Sequence, residues 1–466
     1  MNNNKNINAD YKNIGIIVAE NIEKAQELVF QKFPQLKDGN FKLVQDEDCL
    51  DTWFSSWLWP ISVFDGINAP DNQDIKYYYP TNELVTGPDI IFFWVARMIM
   101  SGYEYKAEEC FKNVYFTGIV RDKLGRKMSK QLGNSPDPIE LIEKYGADGV
   151  RMGLMLSAAA GNDILFDESL CEQGRNFCNK IWNALRLVKG WEVAETSVIP
   201  QENKIGIEWF EAILQKTIAE TDDLFTKYKI SEALMAIYKL FWDEFSAWLL
   251  EIIKPEYQKT IDSATYEHAI YFFEELLKLL HPFMPFITEE LYHALSERAD
   301  KDSIMFKKIN KAENFDEQII SSFEIAKQII AGVRTIRLQK NIPPKENLQL
   351  FVKGDFNPKY ENLILKLGNL SEIIISDEKP TNSISYLVGT CEFSVPVEIN
   401  KEEEIAKMQS EIKYLEGFLK SVMTKLSNDK FVNNAPAQVI ENERKKQTDA
   451  EEKIKILKEK IEKILQ

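Results

Sequence analysis

The spacing of apolar positions changes several times along the chain, and each change announces a different kind of element. The run Ile14-Gly15-Ile16-Ile17-Val18-Ala19 predicts a strand, and helical spacing follows it to residue 32. Between 41 and 156, short apolar runs alternate with helix-like stretches, the pattern of an α/β layer built on a parallel sheet. Near its end, Asp137-Pro138-Ile139-Glu140 predicts a helix start, with Asp as the cap, Pro in the first turn and Glu following. Gly146 after Tyr145 predicts its stop through a left-handed cap. From Ser169 to Asn341 the spacing is almost wholly helical with no strand of useful length, which predicts a helical bundle. Pro343-Pro344 breaks the last of these helices, and strand-like runs return at Leu348–Val352, Ile373–Ile375 and Cys391–Val397.

The tail differs again. Ile405, Met408, Ile412, Leu415, Leu419, Val422 and Leu426 alternate steps of three and four, and Ile454, Leu457, Ile461 and Ile464 repeat that spacing beyond a turn at Ser427–Pro436. Two heptad helices around a Pro-containing turn predict an antiparallel coiled-coil hairpin; a dimerising coiled coil has the same pattern.

Composition narrows the class. The 466 residues suffice for about three domains, and 44% hydrophobic with 28% charged residues fits a globular chain with a core. The longest apolar stretch, Ile90 to Met100, is interrupted by Arg97 and falls short of the ~20 residues of a membrane span. The first thirteen residues lack the apolar segment of a secretory signal. Five cysteines with no Cys-x-x-Cys pair suggest neither a disulfide framework nor a structural metal. These features point to the cytoplasm. The net charge of −16 argues against a nucleic-acid partner in bulk, yet residues 401–466 carry 14 basic against 13 acidic groups, and local patches suffice to bind RNA.

The sharpest chemical signal is Gly125-Arg126-Lys127-Met128-Ser129-Lys130, with Gln131-Leu132-Gly133-Asn134 behind it. Two lysines flanking a serine on a Gly-bounded loop can lay positive charge and a hydroxyl against a triphosphate, and hold the charge that grows as pyrophosphate leaves. Lys127-Met128-Ser129-Lys130 resembles the second signature of class I aminoacyl-tRNA synthetases. Its setting is similar too, with Gly118-Ile119-Val120-Arg121-Asp122 before it and Asn134-Ser135-Pro136-Asp137-Pro138 and Lys144-Tyr145-Gly146-Ala147-Asp148 after it. Gln131 departs from the family, which often has Ser there.

Asp51–Pro60 (DTWFSSWLWP) and Thr86–Arg97 (TGPDIIFFWVAR) resemble the valyl branch of that family more closely than the isoleucyl one. The resemblance implies that Trp53 and Trp94 flank the amino-acid side chain and that Ile90 closes the slot. Rigid aromatic walls with one β-branched residue suit an isopropyl group. Trp57, Trp59, Phe92 and Phe93 are read as core. Gly87 and Asp89 resemble the family's ribose contact, while Asp89 also reads as a helix cap.

Arg175 to Asn183 resembles the segment joining the catalytic and helical domains, which implies tRNA contacts by Arg175, Asn179 and Lys180. Trp242 to Trp248, Lys254-Pro255 and His281 to Glu290 are similar to the helical anticodon-binding domain. Phe245 and Trp248, if exposed, can stack on an unpaired base, and Arg334 and Arg337 are candidate phosphate contacts. Leu426 to Val439 resembles the turn of the valyl coiled-coil arm; isoleucyl relatives typically end in a cysteine zinc module, and no such cysteine set occurs here.

The fold expected is therefore multidomain α/β plus all-α. A remnant after the editing insertion occupies 1–40, the second half of a Rossmann-type catalytic domain 41–168, a helical anticodon-binding bundle 169–345, a small α/β junction 346–400, and an antiparallel coiled-coil arm 401–466. The family's first signature, His-x-Gly-His, does not occur; His268, His281 and His293 all lie in the helical stretch. The resemblance implies ATP-dependent ligation of valine to its tRNA through valyl-adenylate, with Mg2+ accompanying ATP and with Lys127, Ser129 and Lys130 carrying the catalytic charge. It implies a monomer that depends on a missing N-terminal half for full activity. Two other readings stay open, a non-catalytic tRNA-binding fragment and an isoleucyl or leucyl ligase.

Overall fold

The structure, a computed structural model, describes residues 15–37, 41–158, 161–397, 401–427 and 437–465. The chain divides into two compact units, one running to Thr117 and the other from Gly118.

In the first unit, residues 15–19 form neither helix nor strand, and Ile16 and Val18 are exposed. The strand expected there does not form because no described strand pairs with its backbone; Ile14 lies outside the described residues. Helix α1 (Ile22–Lys32) is capped by Asn21, whose side chain accepts from the Lys24 amide. Two single-turn helices, α2 (Trp53–Ser56) and α3 (Trp59–Ser62), precede α4 (Gln73–Tyr78), capped by Asn72, and strand β1 (Thr81–Thr86). Widened helical turns at Ile91–Val95 run into α5 (Ala96–Lys106), and β2 (Phe111–Phe116) returns parallel to β1, from Thr81 opposite Phe111 to Thr86 opposite Phe116. The alternating pattern between 41 and 156 thus yields a β–α–β crossover. Its core is small, comprising Ile61, Ile75, Tyr79 and Cys110.

The second unit opens with β3 (Val120–Arg121), whose approach to the chain at Asn162 leaves room only for glycine at 118: a Cβ there would lie 2.0 Å from the Asn162 carbonyl oxygen. Helix α6 (Pro138–Tyr145) starts where predicted, with Asp137 accepting from the Ile139 amide. It stops at Gly146 with φ 78° and ψ 152°, a conformation suited to glycine but not the left-handed helical cap expected. Helix α7 (Ala147–Ser157) follows, then β4 (Ile164–Leu165), parallel to β3, and α8 (Glu168–Lys189).

From there to Gln339 the described elements are helical apart from one parallel two-residue pair, β5 (Val193–Ala194) and β6 (Ile261–Asp262), too short to register as a strand pattern. Between them run α9 (Gln201–Thr226), α10 (Ile230–Lys239), widened turns at Leu240–Leu249 and α11 (Leu250–Ile253). After them come α12 (Ser263–Leu280), α13 (Pro285–Leu295) and α14 (Glu317–Gln339). One continuous core fills this region. Phe210, Phe241, Phe245, Phe272 and Phe273 interlock at its centre, and Trp209 stacks on Phe323 at 4.1 Å.

That core extends into a four-stranded sheet of β7 (Leu348–Lys353), β8 (Leu370–Ile375), β9 (Ser383–Val388) and β10 (Cys391–Pro396), in the order β8-β7-β10-β9, with α15 (Glu361–Gly368) against it. Strand β9 was not expected from its sequence. Gly332 of α14 lets the Tyr386 ring of β9 lie against the helix backbone, and the Tyr386 hydroxyl donates to the Ile329 carbonyl. The tail forms α16 (Lys401–Leu426) and α17 (Ala437–Leu465), which pack together through Ile412, Val422, Ala450 and Ile454 and share a Lys458–Glu416 ion pair. Residues 428–436, the heart of the expected turn, lie outside the described residues. Among those described, no helix is long and apolar enough to cross a membrane.

Helices α7 and α8 cross so closely that a Cβ at position 174 would sit 2.2 Å from the Gly149 carbonyl oxygen. Gly174→Ala must push backbone against backbone, and overpacking of this kind costs about 1–3 kcal/mol or more. A clear fall in the urea midpoint is expected, and an unchanged midpoint would contradict the crossing.

Candidate functional site

The loop carrying Lys127 and Lys130 is built on two acceptors. Asp122 follows β3, and its Oδ1 accepts from the Leu124 amide at 3.0 Å and the Arg126 amide at 2.9 Å, which folds the chain back on itself. Gly125, at φ 75°, supplies the positive dihedral that this turn demands. Arg121 and Lys127 then bridge antiparallel. The second acceptor is Asn134. Its Oδ1 takes the Ser129 amide at 2.9 Å, while its Nδ2 donates to Asp122 Oδ2 at 2.9 Å and to the Lys127 carbonyl at 3.3 Å. Ser129 Oγ accepts from the Leu132 amide at 3.2 Å, and Gly133, at φ 61°, closes the second turn. Met128 anchors the loop against Leu141, Tyr145, Val150 and Phe166.

Electrostatically the loop is one-sided. Lys127 and Lys130 are exposed, and among the described residues no carboxylate lies within ion-pair distance of either. The cations around them are taken: Arg126 by Asp122, Arg121 by Asp163, Lys123 by Asp167 and Lys144 by Glu168. Asp122 is held well below the usual carboxylate range, first by the Asn134 amide and then by Arg126. The result is two free ammonium groups and a hydroxyl on a braced loop, which suits a phosphate chain.

The aromatic candidates belong to the first unit. The helix of Trp53 packs against the Ile91–Val95 turns that carry Trp94. Trp53 stacks on Phe54 at 3.8 Å and meets Trp57 edge-on, and the Arg97 guanidinium lies 4.4 Å from its ring centre. Ile90 and Trp94 stand a little over one-third exposed. Trp59, Phe92 and Phe93, expected in the core, are instead largely exposed, and Trp57 is half-buried. The run is apolar throughout but has too few partners within its own unit to bury every ring. Asp89 occupies the second position of a single turn, Pro88–Ile90, and makes no capping bond. Its Oδ1 would lie 2.7 Å from a Cβ at position 87, so Gly87 leaves that carboxylate its place.

In the helical region, Arg175 lies over the Tyr145 ring and pairs with Glu172, Asn179 is exposed, and Lys180 lies over Trp242 at 5.3 Å. Trp248 is half-buried, with Lys327 and Arg334 over its ring at 5.7 and 5.4 Å. Two candidates are corrected here. Phe245 is fully buried among Phe210, Phe241 and Phe273, so it cannot stack on a base. Arg337 is buried and donates to the carbonyls of Gly368, Pro343 and Asn369, neutralising the end of α15 rather than a phosphate. Arg334 keeps an exposed position while donating to the Leu367 carbonyl.

The bracing pair Asp122 and Asn134 did not stand out in the sequence, although an Asp three residues before a loop Gly is a turn signal. Arg97 over Trp53 had no sequence signal.

Comparison with known proteins gives three matching family models. The model for class I tRNA synthetases (I, L, M and V) covers residues 2–167, the anticodon-binding domain of tRNA ligase 208–352, and the valyl tRNA synthetase tRNA binding arm 400–465. The valine–tRNA ligase of Parabacteroides distasonis is 62% identical over 449 residues, covering 96% of this chain and 51% of that protein. That of Bacteroides fragilis is 60% identical over 454 residues, covering 96% and 52%, and that of Fusobacterium nucleatum 39% over 444 residues, covering 90% and 49%. The chain spans about half the length of the curated relatives it matches.

Asp122 and Asn134 predict a loop that holds its shape across neutral pH. A carboxylate with a lowered folded value stabilises above the unfolded value of about 3.8 and loses that effect only as the pH falls through the lower one. Protection of the Ser129 and Leu132 amides from exchange should stay level from about pH 5 upward. Asn134→Ala should abolish it, and protection unchanged in that variant would remove Asn134 from the brace.

Proposed function

We propose that this chain, which belongs to the valine–tRNA ligase family of class I synthetases, supplies the phosphate-gripping loop, the valine slot and the tRNA-binding parts of an enzyme that joins valine to its tRNA through valyl-adenylate. The observation that carries this reading is the braced loop with two uncompensated ammonium groups. As the valine carboxylate attacks the α-phosphorus of ATP and pyrophosphate departs, negative charge grows on the phosphates, and Lys127 and Lys130 would stabilise it while Ser129 and the Met128 backbone set their spacing. ATP would arrive with Mg2+ on its phosphates. Gly87 and Asp89 would hold the ribose, and Trp53, Ile90 and Trp94 the isopropyl group.

The domain reading accompanies this function. Residues 41–168 would be the second half of a Rossmann-type catalytic domain preceded by a remnant at 1–40, and 169–345 the anticodon-binding bundle. Residues 346–400 would form a junction, and 401–466 an antiparallel coiled-coil arm. Arg175, Asn179, Lys180, Trp248 and Arg334 remain the tRNA-contact candidates, in a cytoplasmic monomer. Residues of the first unit support dependence on a further α/β portion. Parallel sheets are ordinarily covered on both faces, yet Val85 of β1 and Phe92 and Phe93 beside it are exposed.

Two measurements test the reading. Valine-dependent ATP–pyrophosphate exchange should be negligible for this chain alone and appear when a segment matching the part of the relatives that it does not span is supplied. Lys127→Ala or Lys130→Ala should then lower it by about 10²-fold; exchange at full rate in either variant would refute the loop's role. In filter binding, the chain should retain valine tRNA with an affinity that falls steeply with salt, and removal of residues 401–466 should weaken it at least tenfold. Unchanged affinity after that removal would exclude the arm.

A further inference from the structure

Helix α7 is tied by two contacts of opposite sign to the turn between α12 and α13. Asp148, in its first turn, is 5% exposed and accepts from the Ile287 amide at 2.6 Å and the Phe286 amide at 3.5 Å. Helix α13 begins at Pro285 after Met284, which provides no side-chain cap, so the carboxylate of a distant helix satisfies its open amides and meets the positive end of its dipole. One turn further along α7, Arg151 donates to the Phe283 carbonyl at 2.9 Å and the Pro282 carbonyl at 3.2 Å. Within the turn itself, His281 Nδ1 lies 2.7 Å from Thr288 Oγ1. An anion on amides and a cation on carbonyls, three residues apart, fix both the position and the rotation of the turn relative to α7.

The same helix holds the lysine loop. Val150, between the two contact residues, belongs to the small core of Leu141, Tyr145, Phe166 and Cys171, against which Met128 and Leu154 pack. Asp148 and Arg151 therefore point to the helical region while Val150 and Leu154 point to the loop, and α7 is too short and too closely crossed by α8 at Gly149 and Gly153 to yield between them. We infer that Asp148 and Arg151 are positioning residues: they transmit the setting of the α12–α13 turn through α7 to the Lys127–Lys130 loop, so that a ligand held by the helical region alters the loop that grips the phosphates. The functional half of this statement rests on the tRNA-ligase reading; the mechanical half does not.

Amide exchange on the full chain separates the two. In Asp148→Ala, and independently in Arg151→Ala, the amides of Phe286 and Ile287 should exchange faster, and with them those of Ser129 and Leu132, at least tenfold, while the Leu276–Leu280 helix keeps its protection. Asp148→Asn, which retains one acceptor, should restore part of the loop's protection. A residue acting only as a local cap would loosen α13 and leave Ser129 untouched, and that result overturns the proposal. If either alanine variant unfolds broadly, the Asn variant carries the test by the same two readouts. Adding valine tRNA should change the exchange of Ser129 in the wild type and leave it unchanged in Arg151→Ala at equal tRNA occupancy; a response preserved in the variant also overturns it. Failure of the wild type to bind tRNA, with the ligand-free coupling intact, would instead count against the functional reading alone.

Discussion

Two ammonium groups held three residues apart on one loop repel each other, and the second unit is arranged so that this repulsion goes unrelieved within the described residues. The loop takes its shape from groups that give it geometry without giving Lys127 or Lys130 a counter-charge. Asn134 is neutral, and Asp122 is already engaged by Arg126 and two backbone amides. A loop braced this way needs little reorganisation when a polyanion arrives, and preorganisation is where electrostatic stabilisation gains its advantage over water. Had Asp122 faced Lys127 instead, the same residues would have made a surface ion pair of the kind that contributes about 0–1 kcal/mol and binds nothing.

The helical region obeys a different constraint. Its aromatic residues are numerous, and the fold separates those that make the core from those that line the surface by a single helical turn. Phe245 and Trp248 lie three apart in the widened turns of Leu240–Leu249; one is sealed among Phe210, Phe241 and Phe273, and the other carries Lys327 and Arg334 on its ring. Arg334 and Arg337, also three apart, divide likewise: Arg337 closes the end of α15, and Arg334 stays outside. In both pairs one residue is buried in the fold and its neighbour lies nearer the surface.

How much of this was legible follows from range. The Lys127–Lys130 motif, the Asp137 cap and the break at Pro343-Pro344 are local, and local chemistry fixes them. The lack of a strand over residues 15–19 was not legible because a strand is made by its partner, not by its own apolar run. The burial of Phe245 and Arg337 depended on partners from other elements, and the exposure of Phe92 and Phe93 on how few described side chains of their own unit pack over them. Strand β9 was hidden because its pairing with β10 and with α14 supplies what its mixed composition does not. Features that depend on a loop's own chemistry were therefore readable, while those that depend on packing were not.

The acidic excess of the chain would oppose any polyanion if it acted in bulk, but the residues around the loop show it partly offset by local pairing. At physiological salt a charge is felt over about 8 Å, so the sign of the whole chain matters less than what remains unpaired nearby. Asp122, Asp163, Asp167 and Glu168 each face a cation, and each is held below the ordinary carboxylate range by that partner and its hydrogen bonds. Their negative charge is offset locally, while no carboxylate among the described residues lies within ion-pair distance of Lys127 or Lys130. The same reasoning applies to residues 401–466, whose near-balance of charge leaves the sign of any one face to the placement of its lysines along two helices. A strongly acidic protein can thus present phosphate-seeking surfaces, provided its carboxylates are paired where the ligand is to lie.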